Sequence, residues 1–154
     1  IQKLRKVIAE EAVLGYGDNR KRWNLLERAR KLGLALPVVV HPDASVSSRA
    51  VLKEGAVILA GAVVVTGARI GVGAIVNTGA TVDHDVILGT CAHVAPGAHL
   101  AGTVRVGDRA WIGIGASVRE GIRIGADAIV GAGAAVVDDV PRGAMVLGVP
   151  ARPT

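Results

Sequence analysis

Hydrophobic positions recur along this chain with a period of six. Every sixth residue from Val40 to Val136 is Val, Ile or Leu, seventeen in succession without an exception. Four residues after each of them lies Ala in thirteen of the seventeen hexads, with Val86, Val104, Ile122 and Val140 in the other four. The positions between are mostly turn formers and polar residues. A six-residue period matches neither the 3.6-residue repeat of a helix nor the alternation of a lone half-buried strand, but it suits a solenoid of short strands and corners. Three hexads predict one triangular coil of about eighteen residues, and the whole run about six coils. With strands stacked roughly 4.8 Å apart, the prism is on the order of 25 Å tall. The aliphatic residue of each hexad is expected to point inward and the small residue to let the chain turn. Gly at the third offset, as at Gly55, Gly73, Gly97 and Gly133, accepts corner dihedrals. Neighbouring coils then satisfy one another's backbone groups over a continuous aliphatic column.

The pattern changes before Pro37. Ala12 to Gly17 reads as a short buried strand running into a glycine turn, and Asp18-Asn19 can cap a following helix. That helix, Arg20–Leu32, places Leu25, Ala29 and Leu32 on one face with Leu26 widening the stripe, and stops at Gly33. One strand and a helix cannot cover themselves. Residues 1–36 are therefore expected to be the C-terminal remnant of an N-terminal α/β domain, with a solenoid domain over residues 37–154.

Composition narrows the classes. Two Trp, one Tyr and no Phe in 154 residues fit a narrow interior that has room for Val and Ile but hardly for rings. No apolar run approaches the roughly 20 residues of a membrane-spanning helix, and nothing at the start reads as a secretory signal. A single cysteine, Cys91, excludes an internal disulfide framework and fits a reducing cytoplasm. The net charge of +5 comes from residues 1–31, which carry nine Lys/Arg against four Asp/Glu. These are Lys3, Arg5, Lys6, Arg20, Lys21, Arg22, Arg28, Arg30 and Lys31. With little aromatic interleaving they read as a solvated helix face, and no nucleic-acid partner is expected.

Three stretches carry a family resemblance: Asn77-Thr78-Gly79-Ala80-Thr81-Val82-Asp83-His84-Asp85, the run from His93 to Gly102, and Gly148-Val149-Pro150-Ala151-Arg152. With the hexads they resemble the left-handed β-helix sugar acetyltransferases, the group of nucleotide-amino-sugar N-acetyltransferases and sialic acid O-acetyltransferases. The resemblance implies an all-β, left-handed parallel β-helix and supplies the handedness, which a six-residue period does not specify. It also implies a homotrimer in which acetyl passes from acetyl-CoA to the amino group of a nucleotide-linked sugar, or alternatively to a sugar hydroxyl, with no metal.

Within that resemblance His84 matches the general base that takes the acceptor's proton, and Asp85, where the family often has Glu, orients it and stabilises the imidazolium that forms. His93 matches a histidine at the acetyl thioester, where a donor would also steady a developing oxyanion. Ile114 and Ala132, preceded by Gly113 and Gly131, match positions that touch CoA. Asn77 and Gly102 are candidates for substrate contact, each also serviceable as a plain corner residue. Spacing adds a check of its own: Pro96, Ile114 and Ala132 lie eighteen apart and stack in one ladder, whereas His84 is twelve residues from Pro96 and falls on another edge. A site between adjacent subunits would bring the two together. Arg105 and Arg123, one coil apart, fit either CoA phosphates or ordinary solvation. Two other readings stand beside this one. A γ-class carbonic anhydrase uses the same prism, but His84, His93 and His99 fall on different phases of the coil, whereas zinc needs converging imidazoles. A non-catalytic hexapeptide scaffold has no use for His84-Asp85.

Overall fold

The computed structural model describes residues 10–154; Lys3, Arg5 and Lys6, and with them the first part of the 1–36 segment, lie outside the described residues. One two-residue strand falls in each hexad, from β1 (Val39–Val40), each later one six residues on, to β17 (Ala135–Val136). Inside each sheet a strand pairs in parallel with those eighteen residues before and after it, as His93 does with Ile75 and Trp111, and the end strands pair on one side only. Three sheets result. The first holds β1, β4, β7, β10, β13 and β16, the second β2, β5, β8, β11, β14 and β17, and the third β3, β6, β9, β12 and β15.

The inward register holds along the column. Ile58, Ile70, Val76, Val82, Val94 and Ile112 are fully buried, in one cluster with the alanines that precede each strand. Val40 departs from it, 42% exposed, because no coil lies beneath the first strand to cover it. Val86, Val104, Ile122 and Val140, the four that replace Ala, stack at a single corner and are buried as well. The corner residue adopts positive φ at all fourteen positions from 55 to 133, nine glycines together with Asp85, Cys91, Thr103, Arg109 and Asp127. The coil thus imposes this conformation even where a Cβ resists it. The column ends with β18 (Met145–Leu147), parallel to β16, and β19 (Arg152–Pro153), antiparallel to β18.

The N-terminal segment departs from expectation in two ways. Residues 12–17 form no strand: the ladder is one bridge, Glu11 to Ala35, and of the side chains only Leu14 is buried, with Val13 and Tyr16 exposed. The helix α1 (Asn19–Lys31) is capped by Asp18, which accepts from the Lys21 amide, but its buried face is Arg22, Leu26 and Ala29, while Leu25 and Leu32 are exposed. Arg22 is therefore no part of a solvated basic face; it is the largest fully buried side chain described. The reason lies in what the helix packs against. The corner between the third and first sheets presents a column of backbone carbonyls, which demand donors. Arg22 donates to Gly73 O at 2.8 Å and Cys91 O at 2.7 Å, and Asn19 to Arg109 O and Ala110 O. Further along the helix Arg30 pairs with Glu54 at 2.9 Å. The helix consequently runs down the edge of the prism, bracing successive coils. Among the described residues no helix is long and apolar enough to cross a membrane.

Candidate functional site

His84 and Asp85 occupy the corner between β8 (Thr81–Val82) and β9 (Ile87–Leu88). Asp85 sits at φ 58°, which turns its carboxylate back toward the preceding ring. His84 Nδ1 lies 3.1 Å from Asp85 Oδ2, so Nδ1 carries the proton and Nε2 offers a lone pair. The backbone is held from both sides: Asp85 N donates to Thr66 O in the coil below, and His84 O accepts from Thr103 N in the coil above. Two glycines clear the space. A Cβ at Gly102, directly above, would overlap the His84 ring at Nε2, and a Cβ at Gly67, below, would overlap the Asp85 carboxylate. Gly102, a candidate for substrate contact, thus has a first role in admitting the imidazole. Both side chains, His84 and Asp85, remain more than half exposed.

His93 and Asn77 form a second constellation on the first sheet. His93 begins β10 (His93–Val94), faces outward, and is only 4% exposed because the Gly17 turn lies over it. Asn77 Nδ2 donates to His93 Nε2 at 3.0 Å, and His93 Nδ1 reaches Gly17 O at 3.3 Å. The Asn77 orientation follows from its oxygen, which accepts from the Thr78 amide at 2.8 Å. Trp111, one coil above, packs its ring 4.4 Å from the imidazole. Burial, reinforced by the nearby Arg22 charge and only partly opposed by the Gly17 carbonyl, pushes the His93 pKa down to about 4. The ring is neutral with Nε2 an acceptor, so it has no spare N–H to offer an oxyanion; the free donor at this point is the second N–H of Asn77.

Ile114 and Ala132 are exposed on the corner between the first and second sheets, with Pro96 below them. Gly113 is required by the stacking itself, since a Cβ there would come within 2.6 Å of the Gly131 backbone, whereas a Cβ at Gly131 would overlap only the end of the exposed Leu147 side chain. The structure thus brings His84 to Asp85 and Gly102, and Asn77 to His93, while His84 and the Ile114–Ala132 ladder remain on different edges of the prism. His99 lies in a strand of the second sheet, bonded to Thr81, and not at a corner. Among the described residues no three His, Cys, Asp or Glu side chains gather as a metal site. Arg105 and Arg123 are exposed partners on the third sheet. Beside Trp111 an open groove of about 680 Å³ runs between Gly17–Arg20 and Arg109, Asp127 and Ile129; Arg109 and Asp127 form a bidentate pair at 2.8 and 2.9 Å.

Residues 103–137 match the family model described as bacterial transferase hexapeptide (six repeats). A comparison with curated protein sequences returns no match. Among solved structures, the acetyltransferase domain of PglB from Neisseria gonorrhoeae FA1090, in complex with acetyl coenzyme A, is 45% identical at a TM-score of 0.92, over 94% of this chain and 70% of that one. The chain belongs to the left-handed β-helix sugar acetyltransferases. PerB from Caulobacter crescentus, in complex with CoA and GDP-perosamine, is 46% identical to this acetyltransferase at a TM-score of 0.91, covering 92% of this chain and 69% of that one. WeeI from Acinetobacter baumannii AYE is 28% identical at a TM-score of 0.93, over 98% and 74% of the two chains.

Two neighbours of the site, Gly67 and Trp111, were not singled out from the acetyltransferase sequence, and Gly17 was read there as a glycine turn. Gly67 and Trp111 lie eighteen residues from Asp85 and His93, so the period alone places them one coil away. Gly17, which closes over His93, carries no periodic signal.

Proposed function

We propose that this protein transfers the acetyl group of acetyl-CoA to the amino group of a nucleotide-linked amino sugar, with His84 as general base, in sites formed between the subunits of a cytoplasmic homotrimer. The observation that carries this reading is the His84–Asp85 pair at 3.1 Å, whose Nε2 has no partner among the described residues and is kept clear by Gly102. As the sugar amine attacks the thioester carbonyl, a C–N bond forms and His84 Nε2 accepts the amine proton. The Asp85 carboxylate stabilises the resulting imidazolium, the tetrahedral adduct collapses with loss of the C–S bond, and the proton passes to the departing CoA thiolate. The N-acetyl assignment draws on PerB, whose structure holds CoA and GDP-perosamine. The interfacial site draws on the separation of His84 from the Pro96–Ile114–Ala132 edge, and the exposed Ile114 and Ala132 are proposed to meet CoA there. The groove between Gly17 and Trp111 is proposed to admit the acceptor sugar, and buried Cys91, free of any disulfide, suits the reducing compartment.

Acetyl-CoA turnover measured against GDP-, UDP- and dTDP-linked amino sugars and free sialic acid, with His84→Ala as the control, tests this. Turnover of one amino sugar, lost in the variant while CoA binding persists, is the expected result. Turnover of sialic acid alone would replace the amine acceptor with a hydroxyl. Undiminished turnover in His84→Ala would overturn the base assignment.

A further inference from the structure

Arg22 is a buried cation with no carboxylate in ion-pair contact among the described residues. Its partners are all neutral oxygens: Tyr16 O at 2.7 Å, Gly17 O at 3.1 Å, Gly73 O at 2.8 Å, Cys91 O at 2.7 Å, Ala92 O at 3.3 Å and Asn19 Oδ1 at 2.8 Å. A buried charge solvated only by carbonyls is costly to assemble. A latch between helix and solenoid could be built from apolar side chains, as Leu26 already shows. What an apolar latch could not do is act on Gly17 O. That carbonyl has two lone pairs. Arg22 Nη1 donates to it at 3.1 Å, and His93 Nδ1 lies 3.3 Å from it. The arginine anchors the carbonyl and the carbonyl takes the proton-bearing nitrogen of the imidazole. Nε2 is left as an acceptor, and Asn77 Nδ2 fills it. Because Thr78 N already holds Asn77 Oδ1, the amide cannot flip without losing both bonds. Its second N–H, with no acceptor among the described residues, belongs to the same corner as Pro96, Ile114 and Ala132.

We infer that Arg22 is a positioning residue of the transfer site: through the Gly17 carbonyl it fixes the tautomer of His93, and through His93 it sets the Asn77 amide as the hydrogen-bond donor for the thioester oxygen. This rests on the acetyl-transfer reading above. The chain Arg22–Gly17–His93–Asn77 is a relay of orientation, not of protons. No proton moves along it during transfer, and its use is that the donor stands preorganised where negative charge develops on the thioester oxygen.

The first readout is independent of activity. In the intact protein, ¹⁵N NMR of the His93 ring is expected to show a protonated Nδ1 and an unprotonated Nε2 at neutral pH, and Arg22→Lys is expected to shift this toward Nε2–H or a mixture. With an amino-sugar acceptor, Arg22→Lys and Asn77→Ala should each lower kcat by roughly ten- to a hundredfold, the loss of one strong hydrogen bond in the transition state. KM for acetyl-CoA should stay within about twofold. The double variant should be no worse than the poorer single one, because both substitutions cut one relay. An Nε2–H tautomer in the wild type, full kcat in Asn77→Ala, or additive losses in the double variant would each overturn the inference. Should Arg22→Lys fail to fold, the wild-type spectrum and Asn77→Ala still decide it. Failure of the parent reading looks different: no acceptor is then acetylated by the wild type at all.

Discussion

His93 and Gly102 carry the consequences that belong to single residues. His93 is buried and neutral, with its pKa pushed from the ordinary 6.5 down to about 4. As pH falls through 6.5 the unfolded chain takes up a proton that the folded chain refuses until about pH 4. The unfolded state therefore binds more protons across that window, and folding loses stability as acid is added. Above 6.5 the effect is absent. Over the full window it amounts to on the order of 3 kcal/mol. Urea denaturation at pH 7 and pH 4.5 should show that loss in the wild type and a clearly smaller one in His93→Gln; equal losses would mean that the ring is not closed off by Gly17. Gly102 does not sit at positive φ, so its backbone accepts alanine. A methyl there collides with Nε2 of the exposed His84, which must swing toward solvent. Gly102→Ala should thus keep the melting temperature while lowering kcat by about a hundredfold, the scale of an ångström's misplacement of a catalytic group. The contact of Gly102 with His84 was accessible to arithmetic on the sequence, because 84 and 102, like 67 and 85, differ by one coil. The closure of Gly17 over His93 was not, since it joins residues 76 apart through a segment with no period.

At the scale of elements, the strands were legible and the helix only in part. A two-residue strand has almost no local propensity of its own. What fixes seventeen of them is the repetition of one inward aliphatic residue, and the register read from Val40 to Val136 is the register observed, apart from the uncovered first coil. The helix boundaries follow from the Asp18 cap and Gly33, but its buried face does not follow from hydrophobicity. Arg22 displaced Leu25 because the partner surface is a row of carbonyls, and a row of carbonyls leaves no mark in an amphipathic pattern. The column makes a direct prediction. Ile112 is fully buried and Arg119 points outward from a corner. Ile112→Asp puts an unpaired carboxylate among Val and Ile side chains and should cost roughly several kcal/mol, whereas Arg119→Asp should fall within about 0.5 kcal/mol of wild type. Thermal unfolding of the two variants side by side decides between this register and one shifted by a residue, which would make their losses alike.

For the whole molecule, the decisive question is which copies build one site. Three flat faces and three corners put His84 on one edge of the prism and the Pro96–Ile114–Ala132 ladder on another, so a single chain presents half of the proposed site twice over, base on one side and CoA ladder on the other. In the proposed closed trimer each base edge would meet the ladder edge of the next subunit. Two variants can then be inactive for complementary reasons. His84→Ala removes the base and keeps the ladder. Ile114→Arg, at a position already 60% exposed, spoils the ladder without touching the core and keeps the base. Assembled from a one-to-one mixture of these subunits, a trimer regains an intact site wherever an Ile114→Arg subunit lends its His84 to the ladder of a His84→Ala neighbour. Random assortment in a cyclic trimer places that pairing at about a quarter of the interfaces. Co-expressed chains carrying different tags, purified through both so that only mixed trimers remain, each with one such interface in three, should therefore recover transfer on the order of a third of the wild-type rate, while either variant alone stays silent. If the mixture is as inactive as its parents, His84 and the ladder are used by the same subunit. The chain would then have to bring donor and base together around a corner that the rigid coil holds fixed.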